Sequence, residues 1–237
     1  SKRLMSIAIQ MSMANQGGIA LIDEIEQGLE PDRIVTLTRI FKEISKGQVF
    51  ITTHSMNVVL EATATNLFIL NRGENKLAHV EAELDNCRRS NPQAFFGKKL
   101  IVCEGKTEYG FLRELDMRLE KKYNANFSTK GVVVINAGGG NKMYTYALKL
   151  KKLGYEVCVF ADNDASTQMT KIIDSVRNEG IRLFLCKEGS CFEKEVIYSI
   201  SWNAFCALTQ CEEIDFPYQH IRIAEDLKNR IILGASI

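Results

Sequence analysis

The sequence predicts an α/β protein built on mostly parallel sheets with helices on both faces, and three observations predict it. Short apolar runs rich in β-branched residues alternate with segments of helical spacing. Such runs end abruptly in carboxylates, as in Ile19-Ala20-Leu21-Ile22-Asp23-Glu24, Leu100-Ile101-Val102-Cys103-Glu104 and Val157-Cys158-Val159-Phe160-Ala161-Asp162-Asn163-Asp164. No stretch approaches the roughly eighteen uninterrupted apolar residues of a membrane span. In open sheets of this kind ligands bind at the carboxyl ends of strands, so acids placed there mark the candidate site.

The 237 residues, 46% hydrophobic and 25% charged, have an ordinary globular composition and suffice for one large domain or two small ones. With a net charge of +1, attraction to nucleic acid must come from local basic clusters. Seven cysteines without a CxxC pair read as reduced core thiols, which predicts a cytoplasmic protein without a zinc site or a disulfide framework. No signal-peptide pattern opens the sequence, and no membrane association is expected.

Leu4, Ile7, Ala8, Met11 and Ala14 space a helix that starts without preceding structure, as if the chain were cut from a larger domain. Gly17-Gly18 ends it, and the strand to Ile22 follows, with Asp23 and Glu24 after it. Pro31 suits the first turn of the next helix, expected to run to Ile44. Val49 to Thr53 is a second strand delivering His54-Ser55 ahead of another helix, and Asn66 to Leu70 and Lys76 to Val80 make a hairpin. Polar residues from Glu83 to Asn91 and then Pro92 break the pattern and place a boundary near 90–97. His79 and Cys87, isolated from other ligand types, read as structural.

Beyond the boundary βα units repeat: strand Lys99–Cys103, helix Thr107–Tyr123, strand Gly131–Ile135, helix Lys142–Leu153, strand Glu156–Ala161, helix Thr167–Glu179 and strand Ile181–Cys186. Glu104 and Glu108, four residues apart, can share the first helical turn, and Gly105 permits a sharp strand exit. Glu104, Asp162 and Asp164 in one crevice would repel by roughly 4 kcal/mol per pair at an intermediate dielectric, and Mg2+ or Mn2+ is the natural neutraliser. Gly138-Gly139-Gly140 after a strand reads as a flexible turn, as a contact to a DNA phosphate or as support of the metal pocket, with Lys106 and Lys142 as further phosphate contacts. Trp202–Leu208 and Ile221–Leu233 read as a helical extension without a catalytic pattern.

An apolar strand plus Asp-Glu, a helix, then an apolar strand plus Thr-His-Ser resembles the C-terminal half of an ABC-type ATPase head. The resemblance implies that Asp23 holds magnesium through water, Glu24 polarises the attacking water and His54 senses the γ-phosphate. No GxxxxGK[ST] string occurs in the sequence, so ATP binding would need that loop from elsewhere. The EGxxE run from Glu104 to Glu108, the glycine-rich stretch after a strand, and a later strand ending in Asp-x-Asp resemble the Toprim fold. Their order behind an ATPase half is similar to the OLD (overcoming lysogenization defect) nucleases and their Gabija-like relatives in phage defence.

That resemblance implies an ATPase part over 1–90, a Toprim nuclease domain over 98–200 and an extension over 201–237. It implies an endonuclease whose metals are held by Glu104, Glu108, Asp162 and Asp164, with Glu193 standing where the family often has another acid and Glu195 competing for that place. The family's lysine near the scissile phosphate falls on Lys187, Lys194 or Lys228. Implied partners are DNA, a second copy paired through the ATPase head and a partner protein of the defence system. A second reading is a nucleotide-gated DNA-binding or scaffold protein of the recombination or SMC type that does not cleave; a third is a primase or topoisomerase relative.

Overall fold

The computed structural model describes residues 2–44, 46–71, 76–163 and 170–199. Asp164, Lys228 and the expected helices over 202–208 and 221–233 lie outside the described residues. By internal contacts the chain divides into two compact units, one comprising Ser1–Leu100, Gly131–Ile135 and Lys149–Glu156, the other Ile101–Lys130, Asn136–Leu148 and Val157–Ile237.

The first unit opens with α1 (Lys2–Asn15), which stops where Gly17 and Gly18 donate back to the carbonyls of Ala14 and Met13 at 2.9 and 3.1 Å. Strands β1 (Ile19–Ile22) and β2 (Gln48–Ile51) pair in parallel, from Ile19 opposite Gln48 to Ile22 opposite Ile51. Between them runs α2 (Pro31–Lys42), with Pro31 in its first turn and with Asp32 near its start and Lys42 at its end, both favourable to the helix dipole. After β2 comes α3 (Met56–Glu61). Ile7, Ile22, Ile25, Ile34, Phe41 and Val58 form one buried cluster, each contributing about 1.5–3 kcal/mol by burial. The opposite face of the β pair, carrying Ile19, Leu21 and Phe50, is exposed. The expected hairpin is present as antiparallel β3 (Phe68–Asn71) and β4 (Lys76–His79).

Residues 82–97, polar in sequence, are helical and packed. A 3-10 turn (Ala82–Leu84), α4 (Asp85–Ser90) and a second 3-10 helix (Pro92–Phe96) bury Leu84, Cys87, Arg88, Asn91, Ala94 and Phe95. Arg88, with 2% of its side chain exposed, pairs with Asp85 at 2.9 Å. It also donates to the carbonyls of Val59 and Leu60 at 2.6 and 2.7 Å, satisfying orphan acceptors at the end of α3. Cys87 is fully buried, and burial pushes its thiol up to about 12. The His79 ring packs against Phe68 at a tilt of 51°, and its Nε2 lies 2.8 Å from the Thr65 carbonyl.

The remaining elements are β5 (Lys99–Cys103), α5 (Lys106–Tyr123), β6 (Val132–Asn136), α6 (Lys142–Lys152), β7 (Glu156–Ala161), α7 (Thr170–Asn178), β8 (Arg182–Leu185) and α8 (Phe192–Ser199). Their four strands form one parallel sheet in the order β6-β5-β7-β8. The order reverses between β5 and β7, and the carboxyl ends of strands at such a switch point open onto a ligand crevice. Leu100, Val102, Val157 and Val159 are buried in this sheet, which explains its apolar runs.

Arg88→Ala is expected to cost about 2–4 kcal/mol, because it leaves the Val59 and Leu60 carbonyls at a helix end unpaired and empties a buried site, while Asp85 keeps Arg89. Urea denaturation of the chain and its variant measures the difference, and a midpoint within error of the parent would contradict it.

Candidate active site

Glu104 and Gly105 form the turn between β5 and α5. The Gly105 N–H donates to Glu108 Oε2 at 2.9 Å, so the Glu108 side chain folds back over the helix start and is only 4% exposed. The helix dipole and this donor make a buried carboxylate tolerable there. The exit of β6 is stitched to the exit of β5: the Ala137 N–H donates to the Cys103 carbonyl at 3.0 Å and the Gly139 N–H to the Glu104 carbonyl at 2.7 Å. Gly138, Gly139 and Gly140 have φ of +79°, +93° and +65°. A Cβ at any of them would meet open space, so the requirement for glycine comes from the left-handed backbone and not from crowding. Lys106 and Lys142 stand exposed as the first residues of α5 and α6. Buried Tyr144 has its phenol raised by burial and then by the negative charge of Glu104, which Arg177 opposes.

Asp162 leaves the end of β7 between β5 and β8. Its Oδ1 accepts the Phe192 N–H at 2.6 Å and lies 3.9 Å from the Cys186 thiol. Burial pushes Cys186 up to about 11, and the charges of Asp162, Glu195 and Glu108 push the same way. The Asp162 carboxylate contacts the thiol, and Glu195 and Glu108 act on it only through their charge. Cys103, pushed up to about 12 by burial, also feels Glu108. Beside the acids Phe111, Phe160 and Phe192 form an aromatic trio, with centroids 4.8 Å apart for Phe111 and Phe192 and 5.4 Å for Phe160 and Phe192. The trio fixes the first residue of α8, whose N–H holds Asp162.

Glu193 lies in the first turn of α8 and is half-buried; Glu195, one position beyond Lys194, accepts the Lys187 N–H at 3.1 Å. The donor chemistry around the switch point, carboxylate oxygens held by backbone N–H groups, fits a hard divalent cation. Among the described residues, however, no three His, Cys, Asp or Glu side chains are arranged to hold a metal ion, and Asp164 lies outside them.

In the first unit Asp23 and Glu24 follow β1 and are exposed. The Thr52 hydroxyl donates to Asp23 Oδ1 at 2.5 Å and accepts the Glu24 N–H at 2.9 Å, tying both acids to the end of β2. Glu24 has φ of +43°, a left-handed conformation uncommon for a non-glycine residue and frequent at functional sites. The Glu26 carboxylate accepts the His54 N–H at 2.5 Å and the Thr53 hydroxyl at 2.8 Å, which sets His54 beside the same strand ends. The Arg3 guanidinium donates to the Asp23 and Glu24 carbonyls. Asp23, Glu24, His54, Glu104 and Asp162 follow the ends of strands, as the sequence pattern predicts. Thr52, Glu26, Tyr144, Cys186 and Phe192 carry no such signal, because they act through contacts made only in the fold.

Three substitutions at two positions test the strand-exit geometry. Gly139→Ala should lower stability by about 1–2 kcal/mol through its left-handed backbone. Glu108→Ala should lower it by about 1 kcal/mol, with Glu108→Gln retaining most of the capping acceptor. Thermal melts of the three variants decide; equal melting of Glu108→Ala and Glu108→Gln would remove the cap from the account.

Residues 95–164 match the TOPRIM domain family described as overcoming lysogenization defect protein-like. Residues 1–61 match the family described as "AAA domain, putative AbiEii toxin, Type IV TA system". No curated protein matches the chain. Toprim and AAA domains generally use divalent metals and ATP, and no helix among the described residues is long and apolar enough to cross a membrane. The chain therefore carries an OLD-like Toprim domain behind an AAA-type ATPase region, the make-up of a nuclease with an ATPase component.

Proposed function

We propose that the chain is a metal-dependent DNA endonuclease whose Toprim acids cut phosphodiester bonds under control of the ATPase region, in cytoplasmic anti-phage defence. The supporting observation is the Asp162 carboxylate held at the end of β7 by the Phe192 N–H and the Cys186 thiol, with Glu104 at the end of the neighbouring β5, at the switch point of the sheet. A module that only grips DNA has no reason to gather carboxylates opposite a polyanion, which disfavours the scaffold reading.

In this reading Glu104, Asp162 and Asp164, with Glu108 and Glu193, hold Mg2+ or Mn2+. Bound divalent cations supply a lower pKa for water and charge stabilisation at the leaving oxygen. The residues of the chain keep the carboxylates oriented: Gly105 holds Glu108, and Phe192 and Cys186 hold Asp162. Lys106, Lys142 and the Gly139 region contact DNA phosphates, since helix starts and left-handed glycine loops present N–H groups to anions.

Asp23, Glu24 and His54 serve the nucleotide, bound through a phosphate loop absent from this sequence. The bare face of β1 and β2 suits the polypeptide that would carry that loop, because parallel strands are ordinarily covered on both faces. Pairing of two copies through the ATPase region, and a partner protein of the defence system, complete the proposal.

Supercoiled plasmid incubated with the chain and Mg2+ or Mn2+ should be nicked. EDTA should abolish nicking, and Glu104→Ala and Asp162→Ala should lower it by about two orders of magnitude. DNA retained without cleavage under every cation would favour the scaffold instead. Isothermal titration of the isolated chain with ATP should show no tight site; submicromolar affinity would contradict the need for a supplied phosphate loop.

A further inference from the structure

The β7–β8 ladder ends with Ala161 opposite Leu185, and the Cys186 N–H still donates to the Ala161 carbonyl at 3.3 Å. Asn163 carries the connection past the strand ends. Its side-chain Nδ2 donates to the Cys186 carbonyl at 3.0 Å, its N–H donates to the Ser190 carbonyl at 3.1 Å, and its carbonyl accepts the Gly189 N–H at 2.9 Å. The loop so held is the one that reaches Asp162, through the Cys186 thiol at 3.9 Å and the Phe192 N–H at 2.6 Å on the same carboxylate oxygen. Asn163 itself points its amide at the loop, so it acts through Cys186 and not on the acid directly.

We propose that Asn163 is a positioning residue for Asp162, locking the 186–192 loop so that this carboxylate keeps one orientation at the switch point. The proposal rests on the reading of Asp162 as a metal-holding acid of the nuclease site. The two backbone bonds of Asn163 survive any substitution other than proline, whereas the amide donor is specific to the side chain. A small apolar residue there orphans the Cys186 carbonyl and frees the turn between Cys186 and Ser190. Partners that orient a metal-holding group commonly alter metal affinity or activity about 10- to 100-fold when removed.

The test compares the full chain with Asn163→Ala by amide hydrogen exchange and by plasmid nicking across a Mn2+ titration. Expected are faster exchange in peptides covering 186–192 with exchange of 1–100 unchanged, and a half-maximal Mn2+ concentration raised about tenfold or more. The nicking rate at saturating Mn2+ should fall less. Unchanged exchange over 186–192 would overturn the clamp; faster exchange with a wild-type Mn2+ midpoint would reduce Asn163 to a structural residue and overturn the proposal equally. If the parent chain does not nick with any cation, the nuclease reading fails separately. The clamp is then decided by exchange alone, since Mn2+ should slow exchange at 186–192 in the parent at a concentration about tenfold or more below that needed in the variant. Should Asn163→Ala fail to fold, Asn163→Ser, which keeps a shorter donor, is read the same way with smaller shifts.

Discussion

A carboxylate at the end of a buried strand or at a helix start is costly to hold in place, and the second unit answers Glu108 and Asp162 each with a local donor. Glu108 is buried yet stable because a backbone N–H at a helix start answers it, and Asp162 is answered by the N–H of Phe192 and the thiol of Cys186. Each donor is itself immobilised. Gly105 sits at the strand exit, Phe192 is wedged between Phe111 and Phe160, and Cys186 follows directly on a paired strand. Neutral donors satisfy a carboxylate oxygen without cancelling its charge.

The ATPase part meets the same difficulty with different means. Asp23 and Glu24 follow a strand end in exposed positions, and a single hydroxyl, that of Thr52, orders both. Glu26 fastens the backbone of His54 to the loop behind those acids, tying the two strand ends together. The left-handed backbone of Glu24 is held by these bonds and by Arg3 on the neighbouring carbonyls. Such a residue pays conformational energy to point where an unstrained one would not. The Asp23 side chain and the backbones of Glu24 and His54 are therefore fixed by contacts within the first unit.

What the sequence determined by itself was the periodicity and its interruptions. Buried parallel strands must be apolar on both faces, so β5 and β7 appear at the expected residues, and their abrupt ends in acids marked Glu104 and Asp162. Gly17-Gly18 and Pro31 announced a helix end and a helix start because their backbone preferences are local. Sequence could not reveal the packed helices of 82–97, since their polar residues are exactly those that a linker would show until Arg88 is seen buried against the end of α3. Nor could it reveal which neighbours hold the acids. Strand order decides that β5 lies beside β7, and only then do residues distant in the chain, Glu108, Cys186 and Phe192 among them, share one neighbourhood. Local propensity is written residue by residue, whereas the orientation of a carboxylate depends on donors that only tertiary packing brings within hydrogen-bonding distance.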